Sequence, residues 1–199
     1  MKKSVASLVC AVALSATSLP ALAVVTPFDL MGKAGAGLLG GNENQPSPVT
    51  GGSGGEIGPG ISFDSFTSRL SISIGWGSGN GFTDLTGNAT AGHIHGPTAS
   101  AAPASFTENQ SVLIGLDSEP GWTASATNGG FIGSVALTAG QATDLFAGRF
   151  YINVHTPAPG GFPAGEIRGN LLPVPEPASF AMLGLGLAVV AGLARRRRR

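Results

Sequence analysis

Residues 69–76 read Arg-Leu-Ser-Ile-Ser-Ile-Gly-Trp. In an extended chain successive side chains point to opposite faces. Leu70, Ile72, Ile74 and Trp76 therefore share one face, with serines and a glycine between them. This is the pattern of a half-buried β-strand. Working outward, similar β-rich runs lie at 60–66, 89–95, 111–116, 131–137, 150–156 and 165–172, separated by glycine and proline. Short strands at such spacing predict an all-β fold, an antiparallel Greek-key-like β-sandwich of about 7–9 strands. The glycine runs at 51–55 and 77–81 read as turns or loops. One short helix is expected, because Thr138 and Gln141 have capping-box spacing. Gly148 follows as a stop that tolerates positive φ. Trp76 and Trp122 read as packing residues.

The ends of the chain have a different logic. Met1-Lys2-Lys3, an apolar run over 5–14, Pro20 and Ala21-Leu22-Ala23 follow the plan of a secretory signal peptide, cut by signal peptidase after residue 23. At the other end, Val174-Pro175-Glu176-Pro177 precedes 17 uncharged residues, 178–194, and five arginines, Arg195, Arg196, Arg197, Arg198 and Arg199. As a helix the apolar run is about 25 Å long, just short of a hydrocarbon core of about 30 Å. Flanking arginines and local thinning accommodate the difference, and the basic cluster should stay cytoplasmic. The expected boundaries are a signal peptide at 1–23, a domain at 24–172, a proline-rich linker at 173–177, a transmembrane helix at 178–194 and an arginine cluster at 195–199.

This C-terminal order resembles the PEP-CTERM sorting signal of Gram-negative bacteria. The resemblance implies a transient inner-membrane anchor, cut near the Pro-Glu-Pro signature by an exosortase-type protease, with release to the cell surface or extracellular polymer.

Charge and cysteine set further bounds. Between Val24 and Pro177 only Lys33, Arg69, Arg149 and Arg168 are basic, against eleven acids, a net charge of −7. Such a body has no electrostatic footprint for nucleic acid. The single cysteine, Cys10, lies in the signal segment, so the exported body forms no disulfide. Several chemistries lack their motifs: no Gly-x-Ser-x-Gly opens a helix, the glycine runs carry no Gly-Lys-Ser/Thr, and the acids are scattered.

Three stretches carry a second resemblance. "LLGGNENQPSPVTGGSGG" opens the body, "AGHIHGP" lies in the middle, and "LFAGRFYINVHTPAPGGFPAGEIRGNL" closes it. Together they resemble the CHRD domain, named after chordin, over about residues 34–172. The resemblance implies a fold and an exported setting rather than a reaction.

The same motifs share a physical pattern. Ile94, Ile152, Val154 and Ile167 alternate with polar neighbours. If their strands are adjacent, His93, His95, Tyr151, Asn153, His155, Glu166 and Arg168 converge on the non-core face. Three readings follow. The cluster could be structural, with a Glu166–Arg168 ion pair and histidines bonded to turn carbonyls. His93, His95 and His155 could form a tripod for one copper or zinc ion, since neutral imidazole suits both. That pattern resembles the copper side of copper–zinc superoxide dismutase, but the chain has only three histidines, so a full copper–zinc site is impossible. Finally, Tyr151, Asn153, Glu166 and Arg168 could recognise a sugar or carboxylate of an extracellular polymer. The expectation is a non-enzymatic structural or interaction module at the cell surface or in extracellular matrix, with a polysaccharide or protein partner. A metal protein is the alternative.

Overall fold

The stretch at 69–76 lies deep within the sheet. In the computed structural model, which describes residues 24–44, 51–175, 185–187 and 195–196, the residues described up to 175 form eleven strands and one α-helix. The strands are β1 (Val25–Gly32), β2 (Gly35–Ala36), β3 (Leu38–Leu39), β4 (Ser53–Asp64), β5 (Arg69–Trp76), β6 (Ala91–His95), β7 (Val112–Gly115), β8 (Trp122–Thr123), β9 (Gly129–Ala136), β10 (Tyr151–His155) and β11 (Ile167–Pro173). The helix α1 spans Ala139–Phe146.

All pairings are antiparallel, in the order β7-β6-β10-β11-β1-β4-β5-β9-β8. The expected all-β class holds. The strands form one continuous ladder, however, and exceed the expected number. β1, β2, β3 and β8 were not legible in the sequence. β1 and β3 share a lane: β1 pairs with β11 and β4, and after a short excursion β3 pairs with the same two strands further along. The ladder folds over on itself. Near its two ends, the Trp122 ring of β8 packs against Gly92 of β6. Leu70, Ile72, Ile74, Trp76 and Phe131 from one half share a single core with Ile94, Ile152, Val154 and Ile167 from the other.

The glycine run expected as a turn at 51–55 instead enters β4 at Ser53. Gly55, Gly75 and Gly130 form a row across three strands. A Cβ on Gly130 would meet Ile74 O at 2.5 Å, so the absent side chains allow close backbone approach. The second run, 77–81, is the expected turn, containing a short 3-10 helix at Ser78–Asn80.

The helix begins as expected. Thr138 Oγ1 accepts the Gln141 amide and Gln141 Oε1 accepts the Thr138 amide. Gly148 follows the helix at φ +67° and donates to Leu145 O. Thr138→Ala should lower stability by about 1 kcal/mol, read as a shift in urea midpoint without a change in slope.

The signal peptide at 1–23 lies outside the described residues, as do Glu176, Pro177 and most of the 178–199 segment. Among the described residues no helix is long and apolar enough to cross a membrane. The linker is less independent of the sheet than expected. Pro173 ends β11, and the Val174 amide donates to Pro27 O.

Candidate metal centre

β10 positions the site, because it lies between β6 and β11. Its register sets Tyr151 opposite His95, Ile152 opposite Ile94 and Asn153 opposite His93 on one side. On the other side Tyr151 faces Asn170, Asn153 faces Arg168 and Val154 faces Ile167. Ile94, Ile152, Val154 and Ile167 are fully buried in the core. The expected alternation therefore holds, and His93, His95, Tyr151, Asn153, His155 and Arg168 are brought together on the opposite face.

Glu166 is directed elsewhere. Its carboxylate accepts the Thr86 amide, the Thr86 hydroxyl and the Thr156 hydroxyl. The expected Glu166–Arg168 pair is replaced by other partners for the guanidinium. Arg168 donates to Ser105 O, Glu108 O, Asn109 Oδ1 and Asn170 Oδ1. It also lies over the Tyr151 ring, 3.5 Å from the centroid. From the other flanking strand, His95 stacks on Tyr151 at 4.8 Å and 3°. Residues 105–110 bond across this face, and the Tyr151 hydroxyl accepts the Gln110 amide. Tyr151, Asn153, Glu166 and Arg168 are all buried. They hold the fold together and offer no open surface to a polymer.

The three histidines differ from that group. One ring nitrogen from each of His93, His95 and His155 lies within 4.8 Å of the others. A tetrahedral ion with nitrogens at 2.0–2.1 Å holds them about 3.4 Å apart. The His93 Nδ1–His155 Nε2 distance is already 3.1 Å, so small ring rotations complete the set. His93 and His155 are half-buried, and His95 is buried.

The far nitrogens have acceptors. His95 Nδ1 lies 2.7 Å from Gln110 O, and His155 Nδ1 lies 2.9 Å from Pro163 O. A carbonyl accepts only, so both Nδ1 atoms carry hydrogen and donate. In the neutral rings this leaves both Nε2 lone pairs facing inward. His93 Nε2 faces Asp117 Oδ1 at 3.7 Å. Outer partners of this kind orient metal-binding imidazoles. Burial lowers the pKa of His93, assisted by His155 and opposed by Asp117. Burial likewise lowers that of His95, opposed by its bond to Gln110. Both shifts favour the neutral, ligating form.

Two buried side-chain atoms among the described residues lack a hydrogen-bond partner: His95 Nε2 and Glu43 Oε1. Burial raises the Glu43 carboxyl, opposed by Arg168 and then by Asn153. Sequence reasoning missed Asp117, Gln110 and Pro163 as outer partners. Two of them act through backbone carbonyls, which leave no mark on residue identity. Asp117 arrives through the β6–β7 register, where His93 faces Gly115.

The glycines of "GHIHGP" are required by packing. A Cβ on Gly92 would meet two Trp122 ring atoms at 2.4 Å, and one on Gly96 would meet Phe150 at 2.6 Å. Gly92→Val should therefore cost about 1–3 kcal/mol by overpacking, measured by urea denaturation. It should also displace β6 and the histidines it carries.

Comparison with known families agrees with this architecture. The CHRD domain model matches residues 35–171, and the PEP-CTERM protein-sorting motif matches residues 173–199. Searches of curated proteins and of solved structures return no match. The sorting motif implies export, delivery to the surface or extracellular space, and processing by an exosortase-type system. With more than half its length matched, the chain belongs to the CHRD domain family and ends in a PEP-CTERM sorting motif.

Proposed function

We propose that this protein is a non-enzymatic CHRD module of the cell surface or extracellular matrix, and that its histidine face holds one copper or zinc ion. The observation that carries the metal reading is the set of three imidazole nitrogens within 4.8 Å, with an acceptor facing each far nitrogen. The surface or matrix setting is supported by the CHRD domain together with the PEP-CTERM sorting motif. In this reading the 178–194 segment holds the exported domain transiently in the inner membrane. Cleavage near Pro175-Glu176-Pro177 then releases it to a polysaccharide or protein partner. The mass of the secreted chain tests that step: material retaining residues 178–199 would overturn it.

Metal binding is tested on the full-length chain in detergent, loaded with zinc or copper and desalted. One equivalent of metal is expected, and it should vanish in the His93→Ala/His95→Ala double variant. Free metal at a hundredfold over Kd should stabilise the wild type by about 2.7 kcal/mol. A chain that retains no metal, with a Tm unmoved by either ion, would overturn the metal reading.

A further inference from the structure

We propose that Asn153 supplies the fourth ligand, through its side-chain carbonyl oxygen, making a three-histidine, one-oxygen site. The inference rests on the metal reading above. His155 Nδ1 lies 2.9 Å from Pro163 O, while its Nε2 faces His93 Nδ1 at 3.1 Å. At 3.0 Å from that Nε2, Asn153 Oδ1 stands near the ligand-to-ligand spacing of a tetrahedral ion, and His95 Nε2 beside them is buried without a partner. One metal ion satisfies His155 Nε2, His95 Nε2, His93 Nδ1 and Asn153 Oδ1 together.

The orientation of the amide has its own support. A Cβ built on Gly165 would meet Glu43 Oε1 at 2.6 Å and Asn153 Nδ2 at 2.8 Å. The carboxyl oxygen and the amide nitrogen therefore both lie beside Gly165, while Oδ1 of the same amide lies beside His155 Nε2. Asp117 is not the fourth ligand, because it faces His93 Nε2 while Nδ1 points into the site. A neutral oxygen beside three imidazoles favours the divalent ions Zn(II) and Cu(II) over soft Cu(I).

The test uses the full-length chain with cobalt(II), whose visible absorption reports its donor set, and with zinc in competition against a chelator. Asn153→Ala should weaken both ions by at least about tenfold, since loss of even an outer partner costs that much, and should alter the cobalt band. Asn153→Asp keeps the shape, so it guards against a variant that fails to fold. Its anionic oxygen should tighten binding and shift the band. Unchanged affinity and band in a folded Asn153→Asp would overturn the fourth ligand while the wild type still bound metal. A wild type that binds neither ion would instead remove the three-histidine reading, and this proposal with it.

Discussion

Arg168→Met should lower the unfolding free energy by about 3 kcal/mol or more, although it exchanges a buried charge for an apolar chain of comparable reach. The guanidinium donates to two backbone carbonyls, Ser105 O and Glu108 O, and to the side-chain oxygens of Asn109 and Asn170. A buried acceptor left without its donor costs about 1–3 kcal/mol, and methionine satisfies none of the four. The cation over Tyr151 is lost as well. Arg168→Lys should recover only a minority of the loss, because an ammonium cannot span the planar fork. Urea denaturation with unchanged slope is the measurement. A methionine variant within 1 kcal/mol of wild type would show that the 105–109 segment is held by other means.

Trp76→Ala should cost about 3–5 kcal/mol, the range for emptying a buried aromatic site. Trp76 is fully buried, its Nε1–H donates to Ser125 O at 2.8 Å, and its ring lies 5.1 Å from that of Trp122. The effect should reach the histidines, which Trp76 does not touch. Trp122 occupies the space at Gly92, the residue before His93. A cavity at Trp76 lets Trp122 withdraw and β6 relax. Metal affinity should therefore fall together with stability. Trp76→Phe should retain most of the packing and lose chiefly the bond to Ser125 O, about 1 kcal/mol. Undiminished metal affinity in a folded Trp76→Ala would break this link between core and site.

Alternation made part of this structure legible. Leu70, Ile72, Ile74 and Trp76 read as a strand because period two is unbroken over eight residues. The same rule sorted Ile94, Ile152, Val154 and Ile167 from their polar neighbours. β1 was hidden because Pro27 interrupts it and only Phe28 and Leu30 mark its buried face. β2, β3 and β8 have two residues each, too few to show any period. At the site, residue types identified the three imidazoles but not what surrounds them. Arg168 looked like the partner of Glu166, two residues away. Three of its four actual acceptors come from a segment about sixty residues earlier, which has no repeating pattern. Asn153 was placed with the polar groups of the non-core face, but residue type does not show which end of its amide lies beside His155.

The place of β11 in the ladder has a consequence for the order of events during export. It is the last strand made among the described residues, yet it lies between β10 and β1, near the middle of the sheet. Until it emerges, β1 and β10 each expose an open edge and the core lacks Ile167 and Leu171. The β1–β11 pairing joins residues about 140 positions apart, a non-local closure of the kind that slows folding. Completion of the fold therefore waits for translocation of almost the whole body. Phe28 also lies opposite Pro173, so the entering and leaving segments emerge at the same end of neighbouring strands. Trimming at either side can then proceed without unzipping the sheet.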